Sequence, residues 1–159
     1  MSTTMNQMFD GFIANVSKHK LISIIVFSLL TQIIFMYLIS LFVFPDSPGG
    51  FKFNSLTEHF MASVIVAPVM ETYIFQRGII NFVLLTIKSN QLVAVLLSAT
   101  GFGLTHTYST PYVIVTFFIG ILYGLIYLSF RAKKVDTFWY LTIIHASYNL
   151  CAFLTNNFT

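Results

Sequence analysis

The chain has 159 residues, 57% of them hydrophobic and only 8% charged, with a net charge of +3 and a mean hydropathy of +0.83. A soluble domain carries about 25% charged residues, so a soluble fold is excluded, and with it nucleic-acid binding, which needs a basic patch on a soluble scaffold. Four or five spans of about 20 residues use most of the length and leave room for a single membrane domain over residues 1–159.

In residues 1–20, Met5, Met8, Phe9, Phe12, Ile13 and Val16 recur at three- and four-residue steps, which places them on one helical face, with Asn6, Asp10 and Asn15 elsewhere. Such a segment reads as an amphipathic helix lying in the membrane interface, the alternative being a disordered tail. Lys18 and Lys20 precede the uncharged run 21–44. That run is too long for a signal-peptide core and lacks a small-residue cleavage site behind it, so it reads as a first span. Pro45, Pro48, Gly49 and Gly50 break it into a polar loop with Asp46 and Lys52.

Ser55 or Thr57 then caps a helix over 56–87, with Glu58 and His59 in its first turns. Adjacent Glu and His suggest a catalytic pair, but at a helix mouth near the headgroups they read as interfacial. Lys88-Ser89-Asn90 turns the chain into a span over 91–107, and a second turn at Tyr108–Pro111 leads into one over 112–131. Gly120 and Gly124, four apart, let another helix come close there. A last helix over 137–155 has Trp139 and Tyr140 as interface anchors, and its lone Cys151 has no partner for an internal disulfide. The expected fold is therefore all-α, a polytopic membrane bundle of about five transmembrane helices with an N-terminal interfacial helix. Five spans put Lys18, Lys20, Arg77, Lys88, Arg131, Lys133 and Lys134 on one side and Lys52 alone on the other. The positive-inside rule then places the N-terminus in the cytoplasm and the C-terminus outside a multi-pass cell-membrane protein.

The chemistry starts at Glu71, a carboxylate inside an apolar segment, where an ionisable group costs roughly 2.5–3.5 kcal/mol and marks function by default. Thr72 and Gln76, four apart, share a helical face and are close enough for a neutral hydrogen bond, while Glu71 lies about 100° from that stripe. The third span adds His106, and the fifth adds His145 and Asn149, again four apart. A buried, hydrogen-bonded histidine is the simpler reading of either histidine alone. Glu, His and His-Asn on three spans read together as one polar site. Such a set suits attack of water on a carbonyl: a carboxylate as base, a histidine to orient the water, and an imidazole and a carboxamide to donate to the oxyanion. Helix rise puts His145 about 12 Å and His106 about 22 Å from the same side, so either the third span starts deeper or Gly101 and Gly103 break it. Glu and two His can also ligate zinc, but no His-Glu-x-x-His helix exists, and no metal or cofactor is expected.

Three motifs stand in order across residues 67–149: Ala67-Pro68 followed by Glu71-Thr72-x-x-x-Gln76, then Phe102-x-x-x-His106, then His145-x-x-x-Asn149. They resemble those of the CAAX protease and bacteriocin-processing (Abi) family, the Rce1-like intramembrane endopeptidases. The resemblance implies that Glu71 and His106 activate water, that His145 and Asn149 bind the oxyanion, that Thr72, Gln76 and Phe102 support them, and that no metal takes part. It implies membrane lipids as surroundings and a membrane-associated or lipidated peptide or protein as substrate: CAAX-like, or a bacteriocin or pheromone precursor. The same oxyanion machinery would serve acyl transfer in lipoprotein N-terminal maturation, and a third reading is a non-catalytic immunity or partner-binding protein. Thr72 and Gln76 stand where the family has its second Glu and its Arg, and Arg77 is one residue too late to replace the latter. A buried ion pair is thus exchanged as a unit for a neutral pair, which proteins tolerate when both partners change.

Overall fold

The computed structural model describes residues 3–42 and 53–158. The expected loop with Pro45, Asp46, Pro48, Gly49, Gly50 and Lys52, and the end of the first span at Val43 and Phe44, lie outside the described residues. Among the described residues the chain is all helical, with six helices and no strand. These are α1 (Thr3–Lys18), α2 (Leu21–Phe42), α3 (residues 56–86), α4 (Gln91–Leu104), α5 (Thr110–Ala132) and α6 (Thr137–Phe158). Short polar side chains start four of them by accepting free backbone N–H groups: Ser55 from Glu58, Asn90 from Val93, Ser109 from Tyr112, and Asp136 from Phe138 and Trp139. Glu58 completes the first of these caps by accepting from the Asn54 N–H at 2.8 Å. It is a capping residue, and His59 stacks on Phe53 with ring centroids 4.5 Å apart.

Helix α3 has mixed pitch. Ordinary turns at Leu56–Phe60 and Ala67–Glu71 alternate with wide π turns at Met61–Val66, Thr72–Ile79 and Phe82–Thr86. Wide turns of this kind insert an extra residue per turn and occur often at functional sites.

The core gathers on α5, whose Tyr123, Ile126, Tyr127, Leu128 and Phe130 are buried. Helix α4 lies directly against it. A Cβ on Gly120 would stand 2.8 Å from the Ala99 Cα, and one on Gly124 would stand 2.9 Å from Val95 Cγ1. The four-residue glycine spacing therefore meets its expected neighbour. Gly120→Val should force α4 and α5 apart and lose roughly 1–3 kcal/mol, read as a lower melting temperature in detergent. Gly11→Ala, at a glycine with nothing within 4 Å, should show no such loss.

Helix α1 forms over the expected stretch, but its apolar face is divided: Ile13 is buried, with Phe9 and Val16 packed on the core, whereas Met8 and Phe12 are exposed. Helix α2 and helix α5 are long and apolar enough to cross a membrane. Most of α2 presents Ile22, Phe27, Leu30, Ile34 and Leu38 outward, and turns Ser28 and Gln32 inward. Helix α4 is apolar but has only 14 residues, about 21 Å against a hydrocarbon layer of roughly 30 Å. It stops at Leu104 where 107 was expected, and α6 runs on to Phe158 where 155 was expected.

Candidate active site

Glu71 ends the ordinary turn Ala67–Glu71 of α3 and stands between two imidazoles. Its Oε1 is 3.9 Å from His106 Nε2 and its Oε2 is 3.6 Å from His145 Nε2. Each imidazole thus faces its own carboxylate oxygen, just beyond direct hydrogen-bond range.

His106 arrives by an unexpected route. Gly101 and Gly103 do not break α4; they lie inside it, where Gly101 abuts Phe75 and Ile79 of α3 and Gly103 abuts Val113 and Phe117 of α5. The helix ends at Leu104 in a tightened turn, with the His106 N–H on Gly103 O at 3.0 Å. The ring Nδ1 is 2.7 Å from Phe102 O. A carbonyl only accepts, so Nδ1 carries the proton, and in the neutral ring Nε2 is left as an acceptor toward Glu71. Helix α4 thus begins at Gln91 as expected and neither glycine breaks it, yet the His106 imidazole faces Glu71.

Asn149 owes its position to α3. In the wide turn before Ala67, the Ala67 N–H reaches back to Ala62 O. In the same register the Ser63 carbonyl would take its hydrogen from residue 68, and Pro68 has none to give. Asn149 Nδ2 donates to that carbonyl at 2.8 Å. A physical role for the Ala67-Pro68 pair follows, since it frees the atom that holds Asn149.

Thr72 and Gln76 are fully buried, as a pair on one face would be. The expected hydrogen bond between them is not formed. Thr72 Oγ1 and both amide atoms of Gln76 have no hydrogen-bond partner among the described residues. The cause is the wide turn that begins at Thr72, which shifts positions four apart out of the register of an α-helix. Phe102 is buried beside both imidazoles, with ring centroids 4.6 Å from His106 and 6.0 Å from His145. Arg77 points elsewhere, its guanidinium 5.9 Å and 5.6 Å from the Tyr73 and Phe138 rings.

Glu71, His106, His145 and Asn149 line one cavity of about 170 Å³. Sequence reasoning missed much of its wall, including Met36, Tyr108, Tyr112, Tyr123 and Tyr148. One signal was available, because Tyr148 follows His145 by three residues and so shares its face. Tyr123 had no signal of this kind; its hydroxyl donates to Gln32 Oε1 at 2.9 Å, a contact across 91 residues. Among the described residues no group of three or more His, Cys, Asp or Glu side chains has the arrangement of a metal site.

No curated protein and no solved structure matches the chain. A family model, type II CAAX prenyl endopeptidase Rce1-like, matches residues 53–151, from just before α3 to the middle of α6. The match covers well over half the chain and takes in Glu71, His106, His145 and Asn149. The chain belongs to the Rce1-like family of type II CAAX prenyl endopeptidases and is a membrane protein of that protease family.

Proposed function

We propose that the protein is an intramembrane, metal-independent endopeptidase that uses Glu71 as general base against a membrane-associated or lipidated peptide or protein, CAAX-like or a bacteriocin or pheromone precursor. The observation that carries this reading is the placement of Glu71 between the Nε2 atoms of two histidines, in one cavity with Asn149. Water bound to Glu71 and to the bare Nε2 of His106 attacks the scissile carbonyl carbon as its proton passes to Glu71. The carbonyl oxygen becomes an oxyanion that accepts hydrogen bonds from His145 Nε2–H and Asn149 Nδ2–H. Asn149 has two amide hydrogens; one is held by Ser63 O, which leaves the other for the substrate. The tetrahedral centre then collapses, the C–N bond breaks, and Glu71 returns its proton to the departing amine.

In this reading α2 to α6 are five spans, α1 lies in the interface, and the N-terminus is cytoplasmic. The lysine and arginine distribution and the outward apolar face of α2 support it. Reporter fusions after Lys52 and after Lys134 should report opposite sides; the same side for both would refute the topology.

The purified protein in detergent should cleave a farnesylated CAAX-type peptide at an internal bond, with undiminished rate in EDTA. Loss of activity on chelation, restored by a metal, would overturn the metal-independent mechanism. Asn149→Ala should lower kcat by roughly 10²–10³-fold, the scale of a lost oxyanion donor. Pro68→Ala, which offers the Ser63 carbonyl a competing N–H, should give part of that loss with the fold retained.

A further inference from the structure

Helix α2 lies outside residues 53–151, the part matched to the family, yet it reaches the site. Gln32 is fully buried midway along it, and both ends of its amide are paired. Nε2 donates to Ser28 O at 3.2 Å, which fixes the amide's orientation and turns Oε1 toward the Tyr123 hydroxyl, 2.9 Å away. Tyr123 is itself fully buried, and its ring lies against the His145 imidazole, with centroids 4.7 Å apart and planes at 43°. Phe102 closes the other side, edge-on to both rings at 5.8 and 6.0 Å.

A functional histidine is usually oriented through the nitrogen that does not face the chemistry. The corresponding atom here, Nδ1 of His145, is buried and has no side-chain or backbone partner among the described residues. Ring packing therefore sets the imidazole's orientation, and the Tyr123 ring is anchored by one hydrogen bond to α2.

We propose that Gln32 is a positioning residue of the active site, which acts through Tyr123 to hold the His145 ring with Nε2 toward Glu71. The inference rests on the hydrolytic reading for its effect on turnover, and not for its effect on the ring. An apolar side chain at position 32 would suit the membrane equally well, but it would leave the buried Tyr123 hydroxyl without an acceptor.

The test compares Gln32→Met, Tyr123→Phe and the double variant in the full-length protein in detergent. Gln32→Met keeps the volume and removes the acceptor. It should lower kcat on the farnesylated peptide by about 10- to 100-fold with little change in KM, the scale of a displaced catalytic group. It should also lower the melting temperature. In the double variant neither partner is left unpaired, so stability should return while kcat stays as low as in either single variant. Recovery of kcat together with stability, or an unchanged kcat in Gln32→Met, would overturn the inference. The imidazole nitrogen NMR signals of His145 give a reading independent of turnover. They should shift in Gln32→Met and stay in place in Ile13→Ala, which removes core packing at α1, away from the cavity-lining residues. A protein that cleaves nothing but shows the His145 shift would refute the peptidase and keep the positioning role; an unshifted signal would refute that role in any case.

Discussion

Glu71→Gln should lower kcat for peptide cleavage by roughly 10²–10⁴-fold, the scale of a lost general base, while the protein still inserts and folds. The substitution keeps the size of the side chain, and the surroundings can accept an amide. His106 commits Nδ1 to Phe102 O and presents Nε2 as an acceptor, which suits an amide N–H. His145 Nε2–H can then donate to the amide oxygen, since the two imidazoles face different atoms of the same group. What disappears is the capacity to take a proton from water. Turnover of the purified variant, at matched expression and melting temperature, measures this directly. Equal turnover in the variant and the wild type would remove Glu71 as the general base.

The largest effect on stability should come from Gln76→Arg alone, with Thr72→Glu alone close behind it. Both positions are fully buried, and neither side chain has a hydrogen-bond partner among the described residues that could meet a new charge. An unpaired buried charge costs about 3–5 kcal/mol, enough to lower the yield of folded protein sharply. Introduced together, the longer Glu and Arg side chains can reach across the wide turn that keeps Thr72 and Gln76 apart and form the ion pair of the family motif, so the double variant should lose much less than the sum of the singles. Thermal unfolding in detergent of the three variants supplies the cycle. If the losses simply add, the two positions do not face each other, and the exchange of an ion pair for a neutral pair was not a paired event.

The helical fold was legible because long apolar runs separated by turn residues leave little choice of element, and Ser55 marks one helix start by its chemistry. Glu71, His106, His145 and Asn149 could be picked out because polar side chains are rare in such runs. Their convergence on one cavity is a matter of tertiary packing. Three things were not legible, each for its own reason. A reading at 3.6 residues per turn cannot see the wide turns of α3, so it supplies a Thr72–Gln76 hydrogen bond that the backbone does not allow. It places His106 inside a helix, because nothing in Gly101-Phe102-Gly103-Leu104 announces that the helix stops there in a tightened turn. And it treats the run 21–44 as a plain anchor, because Gln32 acquires its meaning only when Tyr123 is brought against it.

The shortness of α4 has a further consequence for how a hydrolase works inside a membrane. If α4 is one of the five proposed spans, its length of about 21 Å leaves a hydrophobic mismatch of roughly 9 Å, which lipid meets by thinning or by admitting solvent around the polar turn from Thr105 to Ser109. Irregular backbone at that depth is tolerated only where protein covers it or water reaches it. His106 sits in this turn, with its imidazole beside Glu71. On the five-span, hydrolytic reading, thinned lipid and the water that peptide hydrolysis consumes would meet at one place, beside Glu71.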